Sequence, residues 1–412
     1  MDLPRFCPSP AQTIEETGLS RGLVFDLILK QVFLEGTASV RQLMAVSKLD
    51  YGVVLGAYRY LQKDQLCETR GSTGDDIEFG LTAKGLRRAE EAYRKNPYAG
   101  AAPVPLASYS QGSRDQAFRP QVTTESLRQS LLDLVVPDST IRDLGAALMT
   151  GGAVFLYGPT GNGKTSIAER LHRIFHDLVY IPFAVEVSNQ ILTVYDPNVH
   201  RLWWQQPEEA DPRWALCYRP SLLVGGELQA AMLEPRIDDL TNLAVAPLQM
   251  KANNGILVID DFGRQQMEPH DLLNRWIVPL DRRVDYLSLG SAGKFEIPFE
   301  LIVVFATNLD PARLAEDAFL RRIKNKVQIG AVTPEIFAQI WQRECQSRNI
   351  EFQPEISDYA RGRCAGRNGG ELRACFPRDL IDVIGGVAAF EQRPLALNPE
   401  EVDHAVSLYF IN

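Results

Sequence analysis

The sequence predicts an α/β protein: a parallel sheet with helices on both faces, followed by a C-terminal helical region and preceded by a small domain of helices and a hairpin. Three observations support this prediction. A glycine-rich loop separates a strand-like run from a helical one at 153–178, strand-like and helical segments alternate to about residue 332, and four helical segments follow. Such alternation is typical of a parallel sheet with crossover helices.

The composition is that of a globular protein with two or three domains. The chain has 412 residues, 45% hydrophobic and 23% charged, which excludes disordered, collagen-like and disulfide-scaffold proteins. The net charge of −9 means that any nucleic-acid contact needs a local basic patch.

The six cysteines form no CxxC pair and are predicted to be reduced. We expect a cytoplasmic protein without a leader or membrane insertion, because neither pattern is found.

Residues 1–96 are predicted to form the small N-terminal domain. Ser20 is a candidate N-cap, and Val53, Ala57 and Leu61 recur every fourth residue of a later helix. Two strand-like runs flank the turn at 71–76, and a charged helix follows. This order of helices and hairpin resembles a winged-helix domain. Residues 97–120, rich in Pro, Ala, Gly and Ser, are predicted to be a partly extended linker, 121–332 the α/β core and 333–412 the helical region.

The strongest functional signal is a loop that matches the pattern GxxxxGK[ST]. It lies between a buried-strand run, Ala153–Tyr157, and a helix whose apolar face is predicted to extend from Ile167 to Leu178. Backbone N–H groups of such a loop bind phosphates, its lysine reaches the β and γ phosphates, and its Ser or Thr hydroxyl ligates Mg²⁺. The predicted nucleotide-binding residues are Gly158, Pro159, Thr160, Gly161, Asn162, Gly163, Lys164, Thr165 and Ser166.

Polar residues follow two further buried-strand runs. Asp260 and Asp261 come directly after the apolar run 255–259. A nucleotide-hydrolysing site needs one carboxylate near Mg²⁺ and a second to activate water, so Asp260 is predicted to hold Mg²⁺ together with Thr165, and Asp261 is the candidate base. The run 301–306 ends in Thr307 and Asn308. This places the Asn308 amide beside the γ-phosphate if that strand lies between the other two.

Two arginine motifs complete an ordered set. Arg321 and Arg322 follow the third strand, and Arg378 stands in a Phe-Pro-Arg-Asp segment of the helical region. From about residue 121 to the C-terminus, the five motifs resemble Walker A, Walker B, sensor one, arginine finger and sensor two of the AAA+ ATPases. The resemblance implies a P-loop NTPase core with a helical lid, ATP and Mg²⁺ as cofactors, and ATP hydrolase activity.

The resemblance also implies roles for these residues. Asn308 would sense the γ-phosphate, Arg321 and Arg322 would act on the ATP of a neighbouring subunit, and Arg378 would respond to nucleotide in its own subunit. A finger supplied in trans, worth roughly 10³ to 10⁵ in rate, implies a homo-oligomeric ring, for which a hexamer is one candidate size. Two short β runs around the turn at 290–293 predict a hairpin before sensor one. A hairpin at this place resembles the branch that contains MoxR-type ATPases and enhancer-binding activators.

Several interpretations stay open at this level. The second Walker B acid is Asp261, where Glu is usual, and Asp-Asp pairs also occur in AAA+ initiators and helicase loaders that act partly as ATP switches. For the tandem arginines the alternative is a solvated helix end, and for Arg378 it is surface pairing with Asp379.

The segment between the first two core strands is harder to interpret. The aromatic-rich insert 196–227 either contacts a protein client or simply packs. Ser188 or Asn189, at the end of a preceding strand, is a candidate to couple Asp261 to client binding. His200 alone does not indicate a metal site.

The charge balance bears on what the N-terminal domain recognises. Residues 1–96 carry thirteen basic and thirteen acidic residues, with Asp75 and Asp76 at the predicted wing tip, so the basic footprint of a DNA-binding domain is lacking. The sequence therefore predicts an AAA+ ATPase that hydrolyses Mg-ATP between subunits to remodel or assemble a protein complex, recruited to an unidentified client through the winged helix. A DNA-acting ATP switch, with duplex DNA as partner, and a nucleotide-binding scaffold without turnover are the alternatives.

Overall fold

The structure, a computed structural model, describes residues 2–73, 76–118, 121–290, 293–314 and 320–411. Its α-helices are α1 Arg21–Glu35, α2 Val40–Ser47, α3 Tyr51–Lys63, α4 Ala83–Lys95, α5 Leu106–Asp115, α6 Thr124–Ser130, α7 Asp138–Thr150, α8 Lys164–Arg170, α9 Leu248–Lys251, α10 Pro269–Arg275, α11 Ile277–Arg282, α12 Pro311–Leu314, α13 Pro334–Ser347, α14 Pro354–Arg367, α15 Phe376–Phe390 and α16 Pro399–Tyr409. Its strands are β1 Thr37–Ser39, β2 Cys67–Thr73, β3 Asp76–Leu81, β4 Val104–Pro105, β5 Ala153–Tyr157, β6 Leu178–Pro182, β7 Ala184–Val187, β8 Gln190–Thr193, β9 Trp214–Tyr218, β10 Ser221–Val224, β11 Arg236–Ile237, β12 Ala244–Val245, β13 Ile256–Ile259, β14 Val284–Ser288, β15 Lys294–Pro298, β16 Ile302–Thr307 and β17 Asn325–Gln328.

Five parallel strands form the central sheet, in the order β10-β13-β16-β5-β17. The three central strands β13, β16 and β5 are continuous apolar runs because a parallel sheet is covered on both faces, and every residue of β16 is buried. β16 lies between β5 and β13, which is the condition that the sequence analysis set for Asn308. The residues that follow these three strands therefore meet at one edge of the sheet, where ligands of open α/β sheets bind.

The two faces of the sheet have separate cores. On one face, Leu144 and Ile167 from the helices pack against Val154 and Val304 of the sheet. On the other face, the large aromatic side chains of Phe155, Phe262, Trp276 and Phe305 pack together. Because both faces of the sheet are packed, the strand ends that carry the loops at the carboxyl edge are held in place.

The helical region after the sheet has a core of its own. Phe337, Trp341 and Leu380 are buried in it. Thr333 and Asn398 act as N-caps of α13 and α16, each accepting a hydrogen bond from a backbone N–H of the first turn. The prediction of an α/β P-loop core followed by a C-terminal helical region is confirmed.

The N-terminal elements follow the predicted order of helices and hairpin. β2 and β3 form the hairpin, and β1, which the sequence did not indicate, pairs with β3. Ser20 caps α1 by accepting the N–H of Leu23. Asp75, at the predicted wing tip, lies outside the described residues, whereas Asp76 Oδ1 accepts the N–H of Arg41 at 3.2 Å.

Residues 97–118 differ from the partly extended linker that the sequence predicted. They form β4, which pairs in parallel with β7, and the ten-residue helix α5. Tyr98, Val104 and Tyr109 are buried, and Ser113 of α5 hydrogen-bonds to both Asn253 and Asn254. Because residues 97–118 combine an extended segment with a helix, their apolar residues follow no single period, and the sequence did not predict this structure.

The segment 178–245 also differs from the sequence-based interpretation. Leu178, expected on the helix after the phosphate loop, begins β6, because α8 ends at Arg170 and a 3₁₀ turn follows. Residues 221–224, expected within the aromatic insert, are β10, the edge strand beside β13. β6 pairs with β9, and β11-β12-β8-β7-β4 form a further small sheet.

The predicted hairpin before β16 is present as β14 and β15, which pair antiparallel over five residue pairs. Residues 291–292 of its turn lie outside the described residues. Leu287, Phe295 and Ile297 are buried in a cluster with β6 and β9, so one face of this hairpin is packed against the rest of the chain.

Candidate functional site

The glycine-rich loop runs from the end of β5 to the start of α8. Gly158, Gly161 and Gly163 all have positive φ angles, of 141°, 84° and 84°, which residues with a Cβ rarely adopt. At Gly158 a Cβ would also lie 2.2 Å from the carbonyl oxygen of Ile329. The glycines of the motif are therefore required by the backbone, and α8 begins directly at Lys164, with its free N–H groups at the loop.

The Lys164 side chain is folded onto this loop. Its Nζ donates to the carbonyl oxygens of Gly158 at 2.8 Å and Pro159 at 2.9 Å, and the residue is 8% exposed. Burial lowers the pKa of Lys164, and the negative charges of Asp260 and Asp261 partly oppose that shift. The ammonium group is thus held beside the loop by two hydrogen bonds to backbone carbonyl oxygens, which an anionic ligand can replace.

The hydroxyl of Thr165 and the carboxylate of Asp260 face each other. Thr165 Oγ1 donates to Asp260 Oδ1 at 3.0 Å, a contact between residues 95 positions apart in the chain. Asp261, the next residue, has a left-handed backbone with φ of 46°. Both carboxylates and Thr165 line the same cavity.

Asn308 follows β16 and lies beside the loop. Its Nδ2 is 3.5 Å from Thr160 Oγ1, and its Oδ1 is buried without a hydrogen-bond partner. A buried amide oxygen without a partner is costly. Asn308 Oδ1 is therefore an unused hydrogen-bond acceptor, and it lies beside the glycine-rich loop, where an amide was expected from the sequence.

A cavity of about 310 Å³ connects these residues. From the helical region it is lined by Ile340, Arg343, Glu344, Ala374, Cys375 and Arg378. Two hydrogen bonds attach that region to the loop: Cys375 N–H donates to the Gly161 carbonyl at 2.9 Å, and Ala374 N–H donates to Asn162 Oδ1 at 3.1 Å. The cavity is therefore a cleft between the sheet edge and the helical region.

Of the three predicted arginines, one lines the cavity and two do not. Arg378 lines the cavity, and its Nε lies 3.5 Å from Asp379 Oδ1. Arg321 and Arg322 are not among the residues that line it. Arg322 Nε donates to Asp281 Oδ2 at 2.7 Å. The chain thus brings together the loop, both carboxylates, Asn308 and Arg378, but not the tandem arginines.

Two groups at the cleft were missed by the sequence analysis. The first is the irregular segment 133–136 before α7, which lines the cavity; Asp133 accepts from Arg170 and Arg173, at 2.6 Å each. The second is the face of α13 that carries Arg343 and Glu344. Neither carries a motif, and both are distant in sequence from the loop, so only the fold identifies them.

Two minor sequence hypotheses are resolved by the geometry. Ser188 and Asn189, considered as a link to Asp261, form the turn between β7 and β8 in the small sheet, so the strand they follow is not part of the central sheet, and neither residue lines the cavity. His200 is buried between Lys251 O and Asp196 N–H, at 2.8 and 2.9 Å. Burial lowers its pKa, and its role is structural.

The donor set at the cleft fits a nucleotide with Mg²⁺. A hydroxyl, a carboxylate and free backbone N–H groups meet there, and oxygen ligands are those that Mg²⁺ uses beside phosphates. Within the described residues, no group of three or more His, Cys, Asp and Glu side chains forms a metal cluster. The fit is therefore to a cation that takes most of its ligands from phosphate and water.

Comparison with known proteins gives limited matches. Residues 333–408, in the helical region, match the profile of a family described as "Domain of unknown function (DUF8689)". No curated protein matches the chain. Among the helices that the structure describes, none has the length and apolar character needed to cross a membrane.

Solved structures similar to this chain include RuvB of Thermotoga maritima and NtrX of Brucella abortus. A T. maritima RuvB mutant is 13% identical with a TM-score of 0.42, covering 69% of this chain and 74% of its own. The T. maritima RuvB Holliday junction branch migration motor is 13% identical with a TM-score of 0.37, covering 70% and 72%. NtrX is 11% identical with a TM-score of 0.38, covering 77% and 59%. At such values no activity, substrate or partner of these proteins is transferred to this chain.

Proposed function

We propose that this chain is an AAA+ ATPase that binds and hydrolyses Mg-ATP to remodel or assemble a protein complex. The observation that carries the proposal is a single cavity lined by the glycine-rich loop, Asp260, Asp261, Asn308 and Arg378. The first four of these follow three strands of the central sheet, β5, β13 and β16, at its carboxyl edge, and Arg378 comes from the helical region. Four of the five motifs, spread over more than 200 residues of sequence, thus contribute to one cleft, and the tandem arginines do not.

The roles follow from the atoms that each residue offers. The N–H groups of residues 160–165 and the Lys164 ammonium bind the phosphates, and Thr165 and Asp260 hold Mg²⁺, which supplies charge neutralisation when bound. Asp261 accepts the proton of the attacking water. The Asn308 amide orients that water through Oδ1, the acceptor that is unpaired here, and its Nδ2 donates to a γ-phosphate oxygen.

Binding replaces contacts that the chain makes with itself. Lys164 must leave the carbonyl oxygens of Gly158 and Pro159, and the bond from Thr165 to Asp260 must open. A phosphate oxygen is a better partner for the ammonium group than a neutral carbonyl oxygen, because its negative charge adds a Coulomb attraction. The exchange therefore favours the nucleotide.

The tandem arginines support an oligomer. Arg321 is exposed, and neither Arg321 nor Arg322 lines the cavity of its own chain. In the proposal they reach the ATP of a neighbouring subunit, so that the site is completed only on assembly. The trans role makes activity depend on protein concentration.

The first experiment measures steady-state ATP turnover over a protein concentration series, with light-scattering mass at each point. We expect turnover per subunit to rise with assembly, and Lys164→Ala to lose ATP affinity by about tenfold or more, since a charge-assisted bond contributes about 1.5–3 kcal/mol. Lys294→Ala, on the β15 strand, is the matched control. Unchanged affinity in Lys164→Ala, or no turnover in any assembly state, overturns the proposal.

A mixing experiment tests the trans role of the arginines. Lys164→Ala and Arg321→Ala are each expected to be inactive alone. Mixed, they form interfaces in which an intact loop meets an intact arginine, so part of the activity returns. If mixing restores nothing while both variants still assemble, Arg321 does not act in trans.

In the proposal, the N-terminal domain recruits a protein rather than DNA. It has no excess of basic residues, and Asp76, next to the predicted wing tip, accepts a backbone bond from α2. Salt-dependent binding of the full chain to random duplex DNA tests this choice, because phosphate neutralisation gives a steep salt slope. We expect weak binding without that slope; a steep one would favour the DNA-acting alternative.

A further inference from the structure

The backbone of Asp261 lies in a conformation that few residues adopt. Its φ is 46°, in the left-handed region, where Asp and Asn are enriched but longer side chains are uncommon. Asp261 is exposed toward the cleft. A left-handed residue at a functional site persists only where its surroundings hold it in place, so the contacts of its neighbours decide where this carboxylate points.

Strands of the central sheet hold the residues on either side of Asp261. The N–H of Asp260 donates to a carbonyl of β10 at 2.8 Å, and the N–H of Phe262 donates to the Ala306 carbonyl at 2.8 Å. Thr307 Oγ1 donates back to the Phe262 carbonyl at 2.7 Å. The carbonyl of Asp261 itself faces the turn that follows, where it accepts the backbone N–H of Arg264 at 3.0 Å and also a side-chain bond.

The side-chain amide of Gln265 closes that turn. Its Nε2 donates to the carbonyl oxygens of Asp260 at 2.9 Å and of Asp261 at 3.2 Å. Its Oε1 accepts the N–H of Gly263 at 2.8 Å. Three bonds from one amide thus link the backbone of the two carboxylate residues to the glycine behind them.

We propose that Gln265 is a positioning residue for catalysis: its amide holds the left-handed backbone of Asp261 so that the short carboxylate reaches the attacking water. The inference rests on the proposed function, since it concerns the same site. Asp has one methylene fewer than Glu and therefore little freedom to correct a displaced backbone. A displacement of about 1 Å can reduce a rate by about a hundredfold.

Two substitutions at Gln265 separate its donors from its acceptor. Gln265→Ala removes all three bonds. Gln265→Glu keeps the shape and the acceptor for Gly263 but loses the donors to the two carbonyl oxygens. We expect both to lower kcat by about tenfold to a hundredfold with the ATP Kd unchanged, because neither variant alters the glycine-rich loop.

The pH profile gives a readout that a merely structural role would not move. In Gln265→Glu, the introduced carboxyl group regains one donor when it is protonated. The rate of this variant relative to wild type should therefore recover as the pH falls toward the ordinary Glu pKa of about 4.3. Gln265→Ala has no such group and should show no recovery.

The neighbouring residue provides a matched control. The Gln266 side chain bonds to Gln229 at 2.6 Å and lies outside the turn that Gln265 closes, so Gln266→Ala should keep wild-type turnover. Full turnover in Gln265→Ala, or an equal loss in Gln266→Ala, overturns the inference while leaving the proposed ATPase standing. Absence of turnover in the wild type overturns the proposed function and this inference with it.

Discussion

The N–H of Cys375 donates to the carbonyl oxygen of Gly161 at 2.9 Å, which joins the helical region directly to the glycine-rich loop. The approach is close, since a Cβ on Gly161 would lie 2.6 Å from Cys375 Sγ. Asn162 adds a second bond, from Ala374 N–H. The loop therefore cannot rearrange around a nucleotide without moving the start of α15, which carries Arg378.

Gly161→Ala should disrupt the contact between the glycine-rich loop and the helical region. The substitution forces a Cβ onto a residue with φ of 84° and against the Cys375 sulfur, and left-handed non-glycine residues cost about 1–3 kcal/mol. We expect ATP affinity, measured by titration calorimetry, to fall clearly. Gly366→Ala is the control, because it lies in α14 with no atom within 4 Å of the added Cβ. Equal affinities in the two variants would contradict the coupling.

ATP should protect Cys375 from alkylation. Cys7 is exposed, Cys375 is partly exposed at the cavity, and the other four cysteines are buried, so a Cys7→Ser background leaves Cys375 as the accessible thiol. Burial raises the pKa of Cys375, so labelling needs mildly alkaline pH, where the thiolate forms. Mass spectrometry should show slower labelling with Mg-ATP; equal rates with and without nucleotide would place the ligand elsewhere.

Substitutions at Asp261 should separate the effect of the carboxylate charge on turnover from the effect of side-chain length. Asp261→Asn keeps a residue that tolerates the left-handed backbone and removes the carboxylate, so ATP binding should persist while turnover is lost. Asp261→Glu keeps the carboxylate but places a longer side chain on a backbone with φ of 46°. We expect its turnover not to exceed that of wild type. A clear gain would mean that side-chain length, not backbone conformation, limits the rate.

The helix α5 should contribute to stability through Ser113. Its hydroxyl donates to Asn254 Oδ1 at 3.0 Å and accepts from Asn253 Nδ2 at 2.8 Å, all within a buried site. Ser113→Ala removes this partner from both amides, which costs about 1–3 kcal/mol of unfolding free energy. Ser108→Ala, exposed on the same helix, should cost almost nothing. Equal denaturation midpoints for the two variants would show that the network adds no stability.

The buried Lys30 should make stability depend on pH. Burial lowers its pKa to about 8, and its Nζ donates to the carbonyl of Asn96 at 3.0 Å. Between pH 8 and the ordinary lysine value of about 10.4, the unfolded chain binds more protons than the folded one, so the unfolding free energy rises with pH in this window. Lys30→Met should lack that rise. Parallel stability profiles of the two proteins would refute the shift.

The candidate site shows how far sequence reasoning reaches. The phosphate loop, Asp260 and Asp261 could be predicted because their chemistry requires particular residues at fixed spacing next to an apolar run. Arg343, Glu344 and the segment 133–136 could not, because any of several residue types can line a cleft and no spacing identifies them. Gln265 belongs to the same group: its role depends on a turn that forms only around a left-handed Asp261.

The fold divides in a similar way. The sequence by itself determined the apolar strands β5, β13 and β16, the four C-terminal helices and caps such as Ser20, because these depend on local periodicity and short-range hydrogen bonds. Only the tertiary structure decided that residues 221–224 complete the central sheet, that Leu178 starts a strand and that α5 docks on Asn253. Strand-forming runs such as 178–182 and 221–224 look alike locally, and their partners are chosen by contacts between residues far apart in the chain.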